Sequence, residues 1–304
     1  MGEGVMSTAG GRQRARIGVG ILLVAVGILV VTFVTDTFET PEAEVLSAPA
    51  RIEPTATTLA EGLTALIAGD SVPLHLVDTL GLVLDDTLGW DLVSAAVPIC
   101  SVYGDPLAWP KSGKPKGDPE RCPGLVPPTQ ASLVQQHDPD VVIWWDRLST
   151  MPFLTAEGEL ARSGSDRFWR HRAIAFEDTL ARLRAGGGTI VFVATEPIGV
   201  GFAERCAGED TMNCAWRRFR MNRYKDVTQP HNRMLRRYAV AHPDEAVFIT
   251  ITDTICRSNI SPCDDRMWGG SLARPDGTHY EDRGELRAAR AIVRDMRAAL
   301  VGVT

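Results

Sequence analysis

The chain has 304 residues, a formal net charge of −6, 44 % hydrophobic and 23 % charged residues. That length allows one large domain or two small ones, and the balance is that of a globular chain rather than a disordered or collagen-like one. The acidic balance argues against a general nucleic-acid binder.

The segment Ile17–Thr35 runs IGVGILLVAVGILVVTFVT, nineteen residues without a charge. A helix of that length spans about 28 Å, close to the hydrocarbon core of a bilayer. Arg12, Arg14 and Arg16 precede it, and five acids against Arg51 alone follow in residues 36–60. The positive flank predicts a cytoplasmic tail over 1–16, a transmembrane anchor over 17–35 and an extracytoplasmic remainder. A cleaved signal peptide is the alternative, with Ala48-Pro49-Ala50 as the small-x-small site, although that site sits well beyond the apolar run. Residues 36–55 are rich in Thr, Glu, Pro and Ala and read as a stalk. Residues 56–304 then form one α/β domain.

In that domain Leu63–Ala68 reads as a buried strand ending at Gly69. Val77, Leu80, Leu84 and Leu88 follow at helical spacing. Leu92–Ile99 is the second expected strand. Residues 103–128 contain seven Pro and are expected to be an irregular excursion. Val141–Trp145 is the third strand. Phe168–Leu183 is a helix with Trp169, Ala173, Phe176, Leu180 and Leu183 on one stripe, stopped by Gly186-Gly187-Gly188. Thr189–Ala194 is the fourth strand. A helix beginning after Pro230 includes Met234–Val240, with Asn232 as a helix-start residue, and Ala246–Ile251 is the fifth strand. Leu286, Ala289, Ile292, Val293, Met296 and Leu300 form the apolar face of a last helix, with Arg287, Arg290, Arg294 and Arg297 opposite. Strands alternating with helices predict right-handed crossovers and a parallel sheet covered on both faces.

Six cysteines, Cys100, Cys122, Cys206, Cys214, Cys256 and Cys263, suit an exported, disulfide-bonded domain. Pairing in sequence order closes the shortest loops. No C-x2-C pair occurs, so a zinc site is not expected.

Function in such a sheet gathers beyond the carboxyl ends of its strands. Gly69-Asp70-Ser71 lies there, at the start of a helix whose amides can face a developing oxyanion. Alone, an Asp or Ser before a helix reads as an N-cap. Asp276-Gly277-Thr278-His279 precedes the last helix, where the carboxylate and imidazole can meet across the Gly turn. The His would serve as general base and the Asp would fix its tautomer.

Together, in this order, these motifs resemble the SGNH/GDSL hydrolase superfamily. Gly-Asp70-Ser71-Val matches its first block, Asp276-Gly-Thr-His279 its last, and Pro139–Ile143 the strand leading into the third. The resemblance is nearest to exported SGNH domains of bacterial cell-envelope proteins, some fused to or working beside integral-membrane acyltransferase-3 proteins. It implies a three-layer α/β/α sandwich, Ser-His-Asp chemistry with Ser71, His279 and Asp276, and no metal or organic cofactor. The third block departs from the family: Trp144-Trp145-Asp146-Arg147 lacks its Asn. The second lacks its Gly in Ala95–Ser101. The Ser71 amide and Arg147 are then the expected oxyanion donors.

Trp109, Trp145 and Asp146 are candidate substrate contacts, with core packing expected for whichever of Trp144 and Trp145 faces inward. Asp70 or Asp146 could stand in for Asp276 beside the His. His75 falls on the helix surface by pattern, and His137, His171, His231 and His242 have no assigned role. Between Trp216 and Arg237 stand eight bases against Asp226, interleaved with aromatics. This reads as a solvated face, or as a surface for anionic glycan or lipid headgroups outside the cell. The expected function is a membrane-anchored esterase or O-acyltransferase acting on cell-envelope polysaccharide or another acylated glycan, with an integral-membrane acyltransferase as partner. The alternative is a weakly active or inactive glycan-binding or accessory protein.

Overall fold

The computed structural model describes residues 59–207, 211–258 and 260–302. The expected cytoplasmic tail, 17–35 anchor and 36–55 stalk lie outside the described residues. Among the described residues no helix is long and apolar enough to cross a membrane.

In chain order the elements are β1 (Thr64–Gly69), α1 (Ser71–Leu88), β2 (Asp91–Ser94), α2 (Arg121–His137), β3 (Val141–Trp145), β4 (Phe153–Leu154), β5 (Leu160–Ala161) and α3 (Asp166–Leu183). There follow β6 (Thr189–Val193), α4 (Gly201–Arg205), α5 (Met212–Asn222), α6 (Gln229–Ala241), β7 (Ala246–Ile249), α7 (Thr252–Ile255) and α8 (Arg283–Val301). Five strands form one parallel sheet in the order β2-β1-β3-β6-β7, while β4 and β5 make a small antiparallel pair.

Side chains alternate across the sheet with a period of two. Ala65, Ile67, Ile143, Trp145, Val191 and Val193 face one core, shared with Leu80 and Leu84 of α1 and with Ile292 and Met296 of α8. Leu66, Ala68, Val142, Trp144, Ile190 and Phe192 face the other, shared with α2, α3 and α6 through Val134, Phe176, Leu180 and Leu235. Burial on both faces explains why these strands read as continuous apolar runs.

Several elements differ from the sequence expectation. β2 stops at Ser94 instead of reaching Ile99, because its neighbour β1 ends at Gly69, Pro98 brings no amide, and Ile99 adopts φ +68°. The Pro-rich excursion ends early, and α2 begins at Arg121 with Pro123, Pro127 and Pro128 inside it. Pro123 sits in the first turn, where no amide is needed. The helix is then held by the Cys100–Cys122 bond and by burial of Val126, Gln130 and Val134. On α3 the buried stripe passes through Arg172, and Ala173 is exposed. Arg172 bonds Asp105 at 2.5 Å and lies over the rings of Tyr103 and Phe153. On α8, Leu286 is off the apolar face at 37 % exposure.

The six cysteines form three disulfides in sequence order, Cys100–Cys122, Cys206–Cys214 and Cys256–Cys263.

Candidate active site

The chain runs outward from β1 to β2 on one side and returns to β3 on the other, so the switch point of the sheet lies at the carboxyl ends of β1 and β3. Such a crevice is where open α/β sheets place their chemistry. Gly69 is required there: a Cβ on it would come within 1.8 Å of the Trp145 carbonyl oxygen. Asp70 caps α1, its carboxylate accepting from the Val72 amide at 2.8 Å. The same carboxylate accepts from the amides of Arg147 at 2.8 Å and Leu148 at 3.0 Å, clamping the end of β3 to the nucleophile turn. Ser71 follows at the first position of α1, where an amide has no partner within the helix.

Ser71 Oγ lies 2.9 Å from His279 Nε2. His279 Nδ1 lies 2.8 Å from Asp276 Oδ2. The other Asp276 oxygen accepts from the Thr278 and His279 amides, both at 2.7 Å, which folds the loop so that carboxylate and ring share one side. Gly277 permits the turn: its φ is +77°, and a Cβ would meet Phe202 at 2.6 Å. His279 is partly exposed and Asp276 nearly buried.

Arg217 on α5 donates to Asp276 Oδ2 at 2.7 Å and to its carbonyl at 3.1 Å. Burial by itself would raise the Asp276 carboxyl, but the hydrogen bonds and charge of His279, with Arg217 beside it, hold it below the ordinary carboxylate range. The acid is therefore ionised wherever the His can act as a base. His75 is exposed on α1, and its ring centroid lies 4.7 Å from that of His279.

Beneath the loop is a buried ionic network. Glu196, just past β6, pairs with Arg147, lies 3.8 Å from Arg274, and accepts from the hydroxyl of Tyr280. Arg274 in turn bonds Asp265 at 2.9 Å. Arg147 also donates to the Thr278 carbonyl, so the network grips the loop that carries His279. Burial works against ionised Glu196, but the two guanidiniums and the Tyr280 hydroxyl outweigh it and keep its carboxyl low.

Some expected contacts are sequestered. Arg147 is 1 % exposed, its guanidinium engaged by Glu196 and the Thr278 carbonyl and its amide by Asp70, so it cannot serve an oxyanion. Trp145 is wholly buried in the core and Asp146 is 2 % exposed, so neither presents a surface to a substrate. Asp146 accepts from the Val102 and Leu148 amides and the Ser149 hydroxyl. Burial, followed by the charge of Asp70, pushes its carboxyl up. With these partners, neither Asp70 nor Asp146 is available to replace Asp276. Near the second family block, the Ala95 and Val97 amides are taken by the carbonyls of Ile67 and Gly69 at 2.8 and 2.9 Å. Trp109 is half-buried against Trp216, ring centroids 5.2 Å apart. Asn232 brackets the Thr195 backbone with two hydrogen bonds, beyond any helix-start role. Among the described residues no group of three or more His, Cys, Asp or Glu could hold a metal ion.

Sequence reading missed Arg217 as a partner of Asp276, 59 residues away, and the Glu196–Arg274 pairing. The only local signal for Glu196 is an acid directly after an apolar strand.

A Ser-His-Asp relay at the switch point of a parallel sheet is the constellation that serine hydrolases use on several folds. The chain belongs to the SGNH family: the model of the SGNH domain fused to AT3 domains matches residues 39–293. No curated protein sequence matches it. Among solved structures it is similar to the periplasmic domain of a lipopolysaccharide acetyltransferase from Salmonella ser. Paratyphi A. That pair shares 12 % identity over 79 % of this chain and 85 % of that one, with a TM-score of 0.49. A GDSL-like lipase from Bacteroides thetaiotaomicron shares 13 % over 79 % and 93 %, with a TM-score of 0.44.

Proposed function

We propose that this protein is an extracytoplasmic serine esterase or O-acyltransferase acting on ester-linked acyl groups of cell-envelope carbohydrate. The observation that carries the reading is the continuous hydrogen-bonded chain from Ser71 through His279 to Asp276. In this mechanism Ser71 Oγ attacks the acyl carbonyl as His279 Nε2 takes its proton. Asp276 holds the tautomer and stabilises the imidazolium, and Arg217 fixes Asp276. Collapse of the tetrahedral intermediate releases the alcohol with a proton from His279. Water or a sugar hydroxyl, deprotonated by the same His, then resolves the acyl-enzyme. The Ser71 amide at the start of α1 is the proposed oxyanion donor.

Three disulfides support a location outside the cytoplasm. The uncharged 17–35 run supports a membrane anchor, and membership of a family fused to AT3 domains supports an integral-membrane acyltransferase as partner.

A second reading, a weakly active or inactive glycan-binding accessory protein, is favoured by one observation. The amides of Ala95, Val97, Arg147 and Leu148, which border the site, are already bonded, leaving few oxyanion donors. Removal of one such donor typically costs about 10²–10³ in kcat.

Turnover of p-nitrophenyl acetate by the full chain, beside Ser71→Ala, separates the two. A burst with a Ser71-linked acetyl detected by mass spectrometry supports the enzyme. Equal rates in both proteins refute it.

A further inference from the structure

Ser71, His75 and Thr79 follow one another at helical spacing along one stripe of α1. Ser71 Oγ lies 2.9 Å from His279 Nε2, and Thr79 Oγ1 donates to Glu285 of α8 at 3.0 Å. His75, between them, is exposed, and among the described residues no protein group hydrogen-bonds either of its ring nitrogens. Its ring stands against that of His279, the centroids 4.7 Å apart and the planes tilted by 42°.

The surroundings divide the work between the two imidazoles. His279 has Asp276 on its Nδ1 at 2.8 Å, and Arg217 holds that carboxylate in turn, so His279 is equipped to move the Ser71 proton. His75 has no such support. Its two nitrogens, one a donor and one an acceptor in the neutral ring, are left for a ligand.

The chemistry sets which part of a substrate comes there. To receive its proton from His279 Nε2, the departing ester oxygen must approach within about 3 Å of it. The carbon bearing that oxygen extends outward from the imidazole into the solvent-facing mouth that His75 borders. In a sugar the next hydroxyl is one carbon further along, a short step beyond His279 and within the shell that the His75 ring occupies.

We propose that His75 hydrogen-bonds the hydroxyl next to the ester oxygen in the alcohol half of the substrate, and so selects esters of sugars over esters of simple alcohols. The inference rests on the sugar-ester reading above and adds the residue that recognises the alcohol. An acceptor sugar enters by the path the alcohol leaves, so the same contact orients it when the acyl-enzyme is resolved by transfer.

The test compares two acetates that differ by one hydroxyl, trans-2-hydroxycyclohexyl acetate and cyclohexyl acetate, with the full chain in detergent. The readout is the ratio of their kcat/KM values, in which any general damage to the triad cancels. The wild-type ratio is expected to favour the hydroxylated ester by about three- to tenfold, the range of a neutral hydrogen bond. His75→Phe keeps a ring beside His279 but has no nitrogen, and its ratio is expected to fall below about twofold. Equal rates for the two esters in the wild type overturn the inference, as does a preference that survives in His75→Phe. Turnover of p-nitrophenyl acetate with both cyclohexyl esters inert also overturns it and leaves the esterase reading standing. No turnover of p-nitrophenyl acetate and no acylated Ser71 would instead remove the esterase reading, and the inference with it.

Discussion

Glu196→Gln removes one charge from a network that is otherwise balanced. Glu196 and Asp265 face Arg147 and Arg274, and all four side chains are at most 1 % exposed. The amide keeps the shape but leaves two guanidiniums sharing one carboxylate, and it accepts with one oxygen where Arg147 and Tyr280 now converge. Breaking a buried pair from one side costs about 3–5 kcal/mol, because the remaining charge keeps its desolvation penalty. With a urea dependence of about 3 kcal/mol/M, the unfolding midpoint should fall by about 1–1.7 M. Arg147 also holds the Thr278 carbonyl, so the loss should loosen the turn carrying His279 and lower kcat more than it changes KM. Equilibrium urea unfolding without reductant, followed by tryptophan fluorescence, measures the first effect. Adding Arg147→Met restores charge parity, so the double variant should lose less than the sum of the singles. A loss below about 1 kcal/mol in Glu196→Gln, the range of a surface pair, would refute the view that buried charge balance holds the loop.

Asp276→Asn should reduce esterase kcat by roughly 10³–10⁴-fold through the wrong His tautomer, and Asp276→Ala should gain no rescue from Asp70 or Asp146, as steady-state kinetics on p-nitrophenyl acetate would record. Because the Asp276 carboxyl is depressed in the folded protein, its stabilising contribution is complete above the unfolded value of about 4 and is lost as pH falls below it; the acid limb of a stability profile should shrink in Asp276→Asn. His231 is buried, its Nε2 lies 3.0 Å from the Tyr103 hydroxyl, and it is lowered to about 3 by burial and then Arg172. The unfolded chain takes up that proton below about 6.5, so folding should weaken by roughly 2 kcal/mol by pH 5, a slope that urea midpoints should show diminished in His231→Gln. Replacing Cys100 and Cys122 together by Ala opens the longest disulfide loop, with a separation of 22 residues, and should cost about 3 kcal/mol by the same unfolding assay.

Much of the fold was legible because burial on both faces of a parallel sheet makes strands unmistakably apolar. Val141–Trp145 appears in the structure with the same limits as in the sequence reading. Boundaries that depend on a neighbour were not legible. β2 ends short of Ile99 because Pro98 brings no amide and Ile99 turns left-handed, and α2 forms through three prolines because a disulfide and a buried face hold it. The α3 stripe was misread for a related reason: Arg172 is polar by composition, yet it is buried among aromatic rings with Asp105 as its counter-ion.

The sequence by itself determined the local chemistry. Gly69-Asp70-Ser71 ends a strand and caps a helix, Asp276 and His279 flank a Gly turn, and each disulfide closes a short loop. These depend on residues a few positions apart, where backbone geometry fixes what can meet. Only the tertiary structure decided what lies far apart in the chain. It set Ser71 against His279 across 208 residues, Arg217 on Asp276, and Glu196 between two arginines. It also sequestered Arg147, Trp145 and Asp146, which the sequence offers as site residues. A charge or an indole carries no mark of which side of a sheet it will face or which partner will neutralise it. That is set by the strand order, which brings the ends of β1 and β3 together at the switch point.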